Sequence, residues 1–286
     1  MKRRTFIQTV GAATAGGMIS SPRLAWGDAG GSGTNHLGRV GLELYAVRHE
    51  MAKDPDRTLA AVRAAGYSDV ELLWSFLNFG RTTDQVIASL KQEGLRAPSA
   101  HISAEDILIG WERRVEIAKR IGHQYLIVPS FSGETSQTLD DWREGADHFN
   151  AAGAVARKAG IWLAFHNEAD HMPPIDGQIP YDVFVERLDP SVTRLQLDVG
   201  NMLMGKGDPM KYLEKYRDRY WSFHLKDVVA DRSSDTDLGK GIFDFKRFLA
   251  AVPSLNDKPC YVEQEGATDE LAAARNNYQF LHGLEF

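Results

Sequence analysis

With a single cysteine, Cys260, in 286 residues, the chain cannot form an intramolecular disulfide, so its redox compartment has to be read from other features. Positive charge is also short, with 33 Lys and Arg against 39 Asp and Glu, a net charge of -6. That balance offers no basic footprint for a phosphate backbone, so no nucleic-acid partner is expected. Long apolar runs are missing: the weakly apolar stretch after residue 5 is too short and glycine-rich to stay in a bilayer, so no stable membrane insertion of the mature chain is expected. No Gly-x-Gly-x-x-Gly follows the first β-like run. The Gly239 and Gly241 pair in LGKGIFDF lacks the Lys-Ser/Thr ending of a phosphate-binding loop. It reads instead as a flexible loop entering a helix capped near Asp244.

What is present begins at the N-terminus. MKRRTFIQTV, followed by the Ala/Gly-rich GAATAGGMIS and small residues around Ala25-Trp26-Gly27, matches a twin-arginine export signal. The bland alternative is a disordered basic tail. Residues 1–27 are expected to be the signal, 28–36 a Gly/Ser-rich flexible linker, and the mature chain periplasmic or otherwise exported.

From Leu37 onward, short β-rich runs alternate with longer segments of helical period. The runs are GRVGLELYAVR, SDVELLW, LRAPSAHIS, QYLIVPS, IWLAFHNE, TRLQLDVGN, WSFHLKD and PCYVEQE. Segments such as DPDRTLAAVRAAG, TTDQVIASLKQEG and WERRVEIAKRIG lie between them and end in glycine, a helix stop. Eight alternations with no compositional break predict one α/β domain over 37–286, a single (β/α)8 TIM barrel rather than an open doubly wound sheet.

A barrel of this kind places its chemistry at the C-terminal ends of its strands. The polar residues obey that demand. Glu43 and Arg48 close the first run, Glu71 the second, His101 the third, His166 and Glu168 the fifth, Asp198 the sixth, His224 the seventh and Glu263 the eighth. Side chains alternate along a strand, so Ser222, His224 and Lys226 share one face, as do Gln196 and Asp198, and Tyr261, Glu263 and Glu265. If those faces meet in the barrel mouth, carboxylates and imidazoles converge into a donor set suited to a divalent ion such as Mn²⁺, Zn²⁺, Co²⁺ or Mg²⁺. Taken singly, each histidine is more often a hydrogen-bonded core residue than a ligand.

The motifs GLELYAVR, AGYSDVELLW, LAFHN, LQLDVGN, FHLKD, LGKGIFDF and YVEQE, in this order, resemble the sugar phosphate isomerase/epimerase family of xylose isomerase-like TIM barrels. The likeness runs from about Leu37 to the C-terminus. It implies a divalent metal held at the ends of strands five to eight and proton transfer beside a sugar carbonyl. Asp198, His224 and Glu263 match the family's ligand positions. Its fifth-strand ligand, commonly a glutamate, is matched here by His166, with Glu168 two residues on as the alternative.

The resemblance also gives Lys226 a part in contacting substrate hydroxyls or developing oxyanion charge, against a salt bridge to a neighbouring strand end. Asn201 either hydrogen-bonds substrate or makes a turn. Glu43, Arg48, Glu71 and His101 are candidate walls of the substrate site, and Asp227 is expected to cap or brace the following loop. Trp74, Trp111 and Phe243 form either a sugar-stacking rim or core.

The expected activity is that of a metal-dependent carbohydrate isomerase or epimerase outside the cytoplasm, with Glu263 or Glu168 taking the proton. A lyase or hydratase acting on a 3-keto-glycoside at the same metal site is the alternative, and a noncatalytic exported sugar-binding barrel the third reading. The expected partner is a small carbohydrate, and the chain is free to form oligomers.

Overall fold

The computed structural model describes residues 35–131 and 136–286; the export signal expected over 1–27 and linker residues 28–34 lie outside the described residues. In chain order the strands are β1 (Gly41–Glu43), β2 (Asp69–Leu73), β3 (Arg96–His101), β4 (Tyr125–Val128), β5 (Trp162–His166), β6 (Thr193–Asp198) and β7 (Tyr220–Leu225). A small antiparallel pair, β8 (Asp227–Val228) with β9 (Asp235–Thr236), follows, and then β10 (Cys260–Val262). The eight long-range strands pair in parallel, and β1 joins both β2 and β10, closing the barrel that the alternation predicts. Closure leaves the barrel without a sheet edge, so each of its eight strands pairs on both sides.

Helices cover the outside for reasons visible locally. In α5 (Leu139–Lys158), Leu139, Trp142, Ala146, Phe149, Ala152 and Ala156 are buried at spacings of three and four, one stripe of a 3.6-residue helix. That stripe seats Phe149 against Phe165 of β5. α2 (Pro55–Ala65), α3 (Thr83–Glu93) and α4 (Trp111–Ile121) each stop at a glycine with φ between 66° and 119°, a region costly for residues with a Cβ. α3 starts on a Thr82–Gln85 capping box, worth about 1 kcal/mol.

The first run departs from expectation. β1 ends at Glu43, and Leu44–Val47 turn into a 3-10 segment with Leu44 and Val47, three apart, both buried. Arg48 therefore opens α1 (Arg48–Lys53) rather than closing a strand. Its guanidinium lies 4.2 Å above the Tyr45 ring and donates to the Tyr45 and Glu265 carbonyls at 2.9 and 3.1 Å.

The long excursion after β7 is held by one carboxylate. Asp227 Oδ1 accepts the N–H groups of Val228 and Phe243, and Oδ2 those of Gly239 and Gly241, all between 2.9 and 3.0 Å. A side chain at Gly241 would run into that carboxylate, which accounts for the glycine. The loop then enters α9 (Phe245–Ala251) with Asp244 as its cap, as expected. Asp227→Ala strands four backbone donors, those of Val228, Gly241 and Phe243 on buried or half-buried residues, and its expected destabilisation is about 3 kcal/mol, measured by denaturant unfolding.

Candidate active site

Glu43, His101, His166 and Asp198 are the last residues of β1, β3, β5 and β6; His224 is one residue from the end of β7, and Glu263 is the first beyond β10. Their common position puts them in one buried layer at the C-terminal mouth. His166, Asp198, His224 and Glu263 each offer an atom such that all lie within 4.8 Å of one another. Glu168 has left the strand and caps a short 3-10 turn, so His166 occupies the fifth-strand place in this cluster.

Each member is arranged differently. Asp198 spends Oδ1 on the N-terminus of α7 (Val199–Met204), accepting from Asn201 N at 2.7 Å, while its buried Oδ2 lies 3.1 Å from the Lys226 ammonium. Both ring nitrogens of His166 are buried and unpartnered, although Asp198 Oδ2 lies 3.7 Å from Nε2 and Glu168 Oε1 lies 3.6 Å from Nδ1. Burial lowers the His166 pKa to about 4, so the ring is neutral, the state in which imidazole binds metal.

His224 Nε2 is bound to Glu71 at 2.6 Å, leaving Nδ1 toward Glu263 Oε2 at 2.7 Å and Asp198 Oδ2 at 4.0 Å. Burial opposes charge on this ring, but Glu263 and Glu71 outweigh it and push its pKa to about 10. Glu263 is lowered to about 2: burial and Glu43 work against its ionisation, and Lys226 with His224 prevails.

The residues fit a divalent ion. A buried neutral imidazole with neither nitrogen hydrogen-bonded is costly unless something takes up its free lone pair. The N/O set suits Zn²⁺, Mn²⁺, Co²⁺ or Mg²⁺.

A second layer supports this one. Glu71, fully buried, holds His224, His101 Nε2 at 3.0 Å, Gln196 Nε2 at 3.0 Å and the Ser99 hydroxyl. His101 bridges to Glu43 through Nδ1 at 3.0 Å, and burial of that ring is overcome by Glu71 and Glu43, which raise its pKa well above the usual range. Glu71 was a candidate cavity wall; the structure places it behind the histidines, where it fixes which nitrogen of His224 faces the cluster. The chemical signal for this role, a strand glutamate one alternation below the mouth, is present in the sequence but its depth is not.

Lys226 is fully buried, its ammonium 3.1 Å from Asp198, 3.3 Å from Glu263, 2.5 Å from Glu265 and 2.9 Å from the Asn201 side-chain oxygen. Burial disfavours that charge, but Asp198, Glu263 and Glu265 raise its pKa well above the usual lysine value. Its stem passes so close to Gly200 that a Cβ there would sit 2.5 Å from Lys226 Cγ, which explains the glycine of LDVGN. Asn201, also buried, donates from Nδ2 to Glu168 at 2.7 Å and so links Glu168 to Lys226. Glu168 keeps a third of its side chain accessible, and burial of its carboxyl raises its pKa well above the carboxylate range, with Lys226 opposing.

Above the cluster opens a cavity of about 360 Å³, whose lining includes Glu43, His101, Glu168, Glu263 and Glu265. Trp74, Trp111 and Phe243 are not its rim. Trp74 is buried beside His123, Trp111 donates to the Ala152 carbonyl, and Phe243 packs on Phe245 and Phe248. The aromatics that do line the cavity are Tyr45 and Phe76, which follow β1 and β2 by two and three residues; the sequence pattern places Tyr45 within the first β-rich run and Phe76 just beyond the second.

Among curated proteins, inosose dehydratase 2 of Bacillus cereus is 26% identical over 145 residues, covering 49% of this chain and 48% of that protein. The chain thus spans about half the length of that relative. Among solved structures, a sugar phosphate isomerase/epimerase from Parabacteroides distasonis superposes with a TM-score of 0.74 at 24% identity, covering 86% of this chain and 98% of that one. IOLI protein with a bound zinc atom superposes with a TM-score of 0.66 at 12% identity, covering 84% and 95%. At these identities the structural likeness is one of fold. The xylose isomerase-like TIM barrel family matches across residues 59–284, most of the chain and all four members of the cluster. This chain belongs to the xylose isomerase-like TIM barrel family.

Proposed function

We propose that this protein is a divalent-metal-dependent carbohydrate isomerase or epimerase, moving a proton on the carbon beside a sugar carbonyl. The observation that carries the reading is the buried, unpartnered His166 beside Asp198, His224 and Glu263, directly under a cavity walled by further carboxylates. His166, Asp198, His224 and Glu263 would hold the ion, which supplies Lewis-acid polarisation of a substrate oxygen.

The chain's own residues supply the proton transfer. Glu263 borders both the cluster and the cavity, so its carboxylate can take a proton from a bound carbon and return it to a neighbouring atom or to the other face. The Lys226 ammonium, held by three carboxylates and Asn201, is buried behind the cavity wall and helps keep Glu263 ionised and ready to take a proton. Glu168 is a second carboxyl in the cavity wall, positioned by Asn201.

That second carboxyl, with the inosose dehydratase relatives, favours a second reading: elimination of a β-substituent from the same enediolate, the chemistry of a dehydratase or lyase. A noncatalytic binding barrel is disfavoured by the complete donor set.

Purified, metal-loaded protein incubated with keto sugars and 3-keto-glycosides in D₂O is expected to exchange substrate C–H for deuterium, followed by NMR. Exchange with recovered or epimerised sugar supports the first reading, and loss of a substituent supports the second. Absence of exchange with every carbohydrate, in protein verified to hold metal, overturns both.

Export through the twin-arginine route is part of the proposal and rests on Arg3 and Arg4 before the weakly apolar run. Replacing both by lysine is expected to leave the precursor in the cytoplasm; fractionation showing unchanged export removes this part.

A further inference from the structure

Five glutamates line the cavity, Glu43, Glu105, Glu168, Glu263 and Glu265, and Ser75, Ser103 and Ser130 add hydroxyls from the segments after β2, β3 and β4. Among the described residues, no lysine or arginine joins them. The one basic side chain in the wall, His101, has Nδ1 on Glu43 and Nε2 on Glu71, each at 3.0 Å. Positive charge next to the wall is engaged as well. Lys226 is surrounded by Asp198, Glu263 and Glu265, and Arg48 is turned onto the Tyr45 ring and the Tyr45 and Glu265 carbonyls. The two charges of a divalent ion in the cluster would be matched by the carboxylates of Asp198 and Glu263.

One oxygen in this wall lacks a donor. Glu43 is 2% exposed, and its Oε1 is bonded to His101 Nδ1. Its buried Oε2 has no hydrogen bond, and His224 Nδ1, at 3.9 Å, is beyond hydrogen-bonding reach. A buried carboxylate oxygen left in this state is costly, and a donor arriving in the cavity removes the cost. A sugar hydroxyl is such a donor. An ionised phosphate or carboxylate brings acceptors only, and it would meet a wall of acceptors and hydroxyls with no free cation. Taking an anion out of water without a charged partner is strongly unfavourable.

We propose that the substrate is a sugar carrying neither phosphate nor carboxylate, and that Glu43 Oε2 positions it by accepting one of its hydroxyls. This rests on the reading of the cavity as a sugar site, and it adds which class of sugar enters and which residue holds it.

The test is calorimetric titration of the zinc-loaded full chain with glucose, galactose and mannose, each beside its 6-phosphate and its uronate. At least one free sugar is expected to bind about tenfold or more tighter than both of its acidic forms, from the cost of leaving their charge unpaired. Glu43→Gln keeps an acceptor for His101 but presents an N–H where Oε2 stands, and it is expected to weaken that free sugar about tenfold with zinc content unchanged. Of the monodeoxy forms of that sugar, the one lacking the hydroxyl that Oε2 accepts is expected to bind native and Glu43→Gln protein equally, which a merely structural effect of the substitution would not produce. A 6-phosphate or uronate bound as tightly as its free sugar, zinc lost from Glu43→Gln, the same loss for every monodeoxy form, or no free sugar bound would each overturn the proposal. Deuterium exchange measured on the same samples separates it from the reaction. Discrimination against acidic sugars without exchange retains the substrate class and removes the proton transfer, whereas exchange of acidic and free sugars at one rate does the reverse.

Discussion

His224→Ala is expected to weaken metal retention by more than about 100-fold while leaving the barrel folded. The imidazole stands between two carboxylates: Glu71 holds Nε2 at 2.6 Å from below, so Nδ1 is the atom offered to Asp198 and Glu263. Losing a residue that only orients a metal-bound histidine costs 10–100-fold in affinity, so loss of the ligand itself should exceed that. The fold is expected to survive because Glu71 keeps His101, Gln196 and Ser99 as partners and the barrel hydrogen bonds of β7 run through the backbone. Chelator competition and elemental analysis read the affinity, and circular dichroism reads the fold. Full occupancy in a folded His224→Ala protein would remove His224 from the metal set.

Glu263→Gln is expected to lower turnover by roughly 10²–10⁴-fold beyond any loss of metal, the usual contribution of a positioned general base. Glutamine keeps the shape of the side chain but cannot take a proton. The same change loosens the ion pair with Lys226 at 3.3 Å and the contact with His224 at 2.7 Å, so metal content has to be measured in the sample assayed. Should a metal-replete Glu263→Gln protein exchange substrate C–H at the native rate, the base is another cavity carboxyl, and Glu168 is the one already held in place by Asn201.

The strands and their order were legible because a buried parallel strand is a short apolar run, and a covering helix has a 3.6-residue stripe, patterns that survive without knowledge of contacts. So were the polar strand ends. His166, Asp198 and His224 each close an apolar run, where extended backbone stops and side chains face the mouth. Arg48 was misplaced because Leu44 and Val47 fit an alternating run and a 3-10 turn almost equally well on hydrophobicity alone, and burial of both on one side decides for the turn. The choice left open at Trp74, Trp111 and Phe243, rim or core, falls to core: Trp74 packs beside His123, Trp111 donates to the Ala152 carbonyl of α5 and Phe243 packs on Phe245 and Phe248, partners that no local pattern names.

The sequence by itself determined the alternation, the closure into one barrel and the chemical types gathered at its C-terminal face, since all of these follow from local period and composition. Only the tertiary structure decided depth. Staggered, tilted strands put residues at the same offset in their runs at different heights along the axis. Glu71 thus lies under His224 while Glu263 lies beside it, and Tyr45 and Phe76, not the tryptophans, stand over the site. Height depends on register between strands far apart in the chain, and no single strand's sequence carries it.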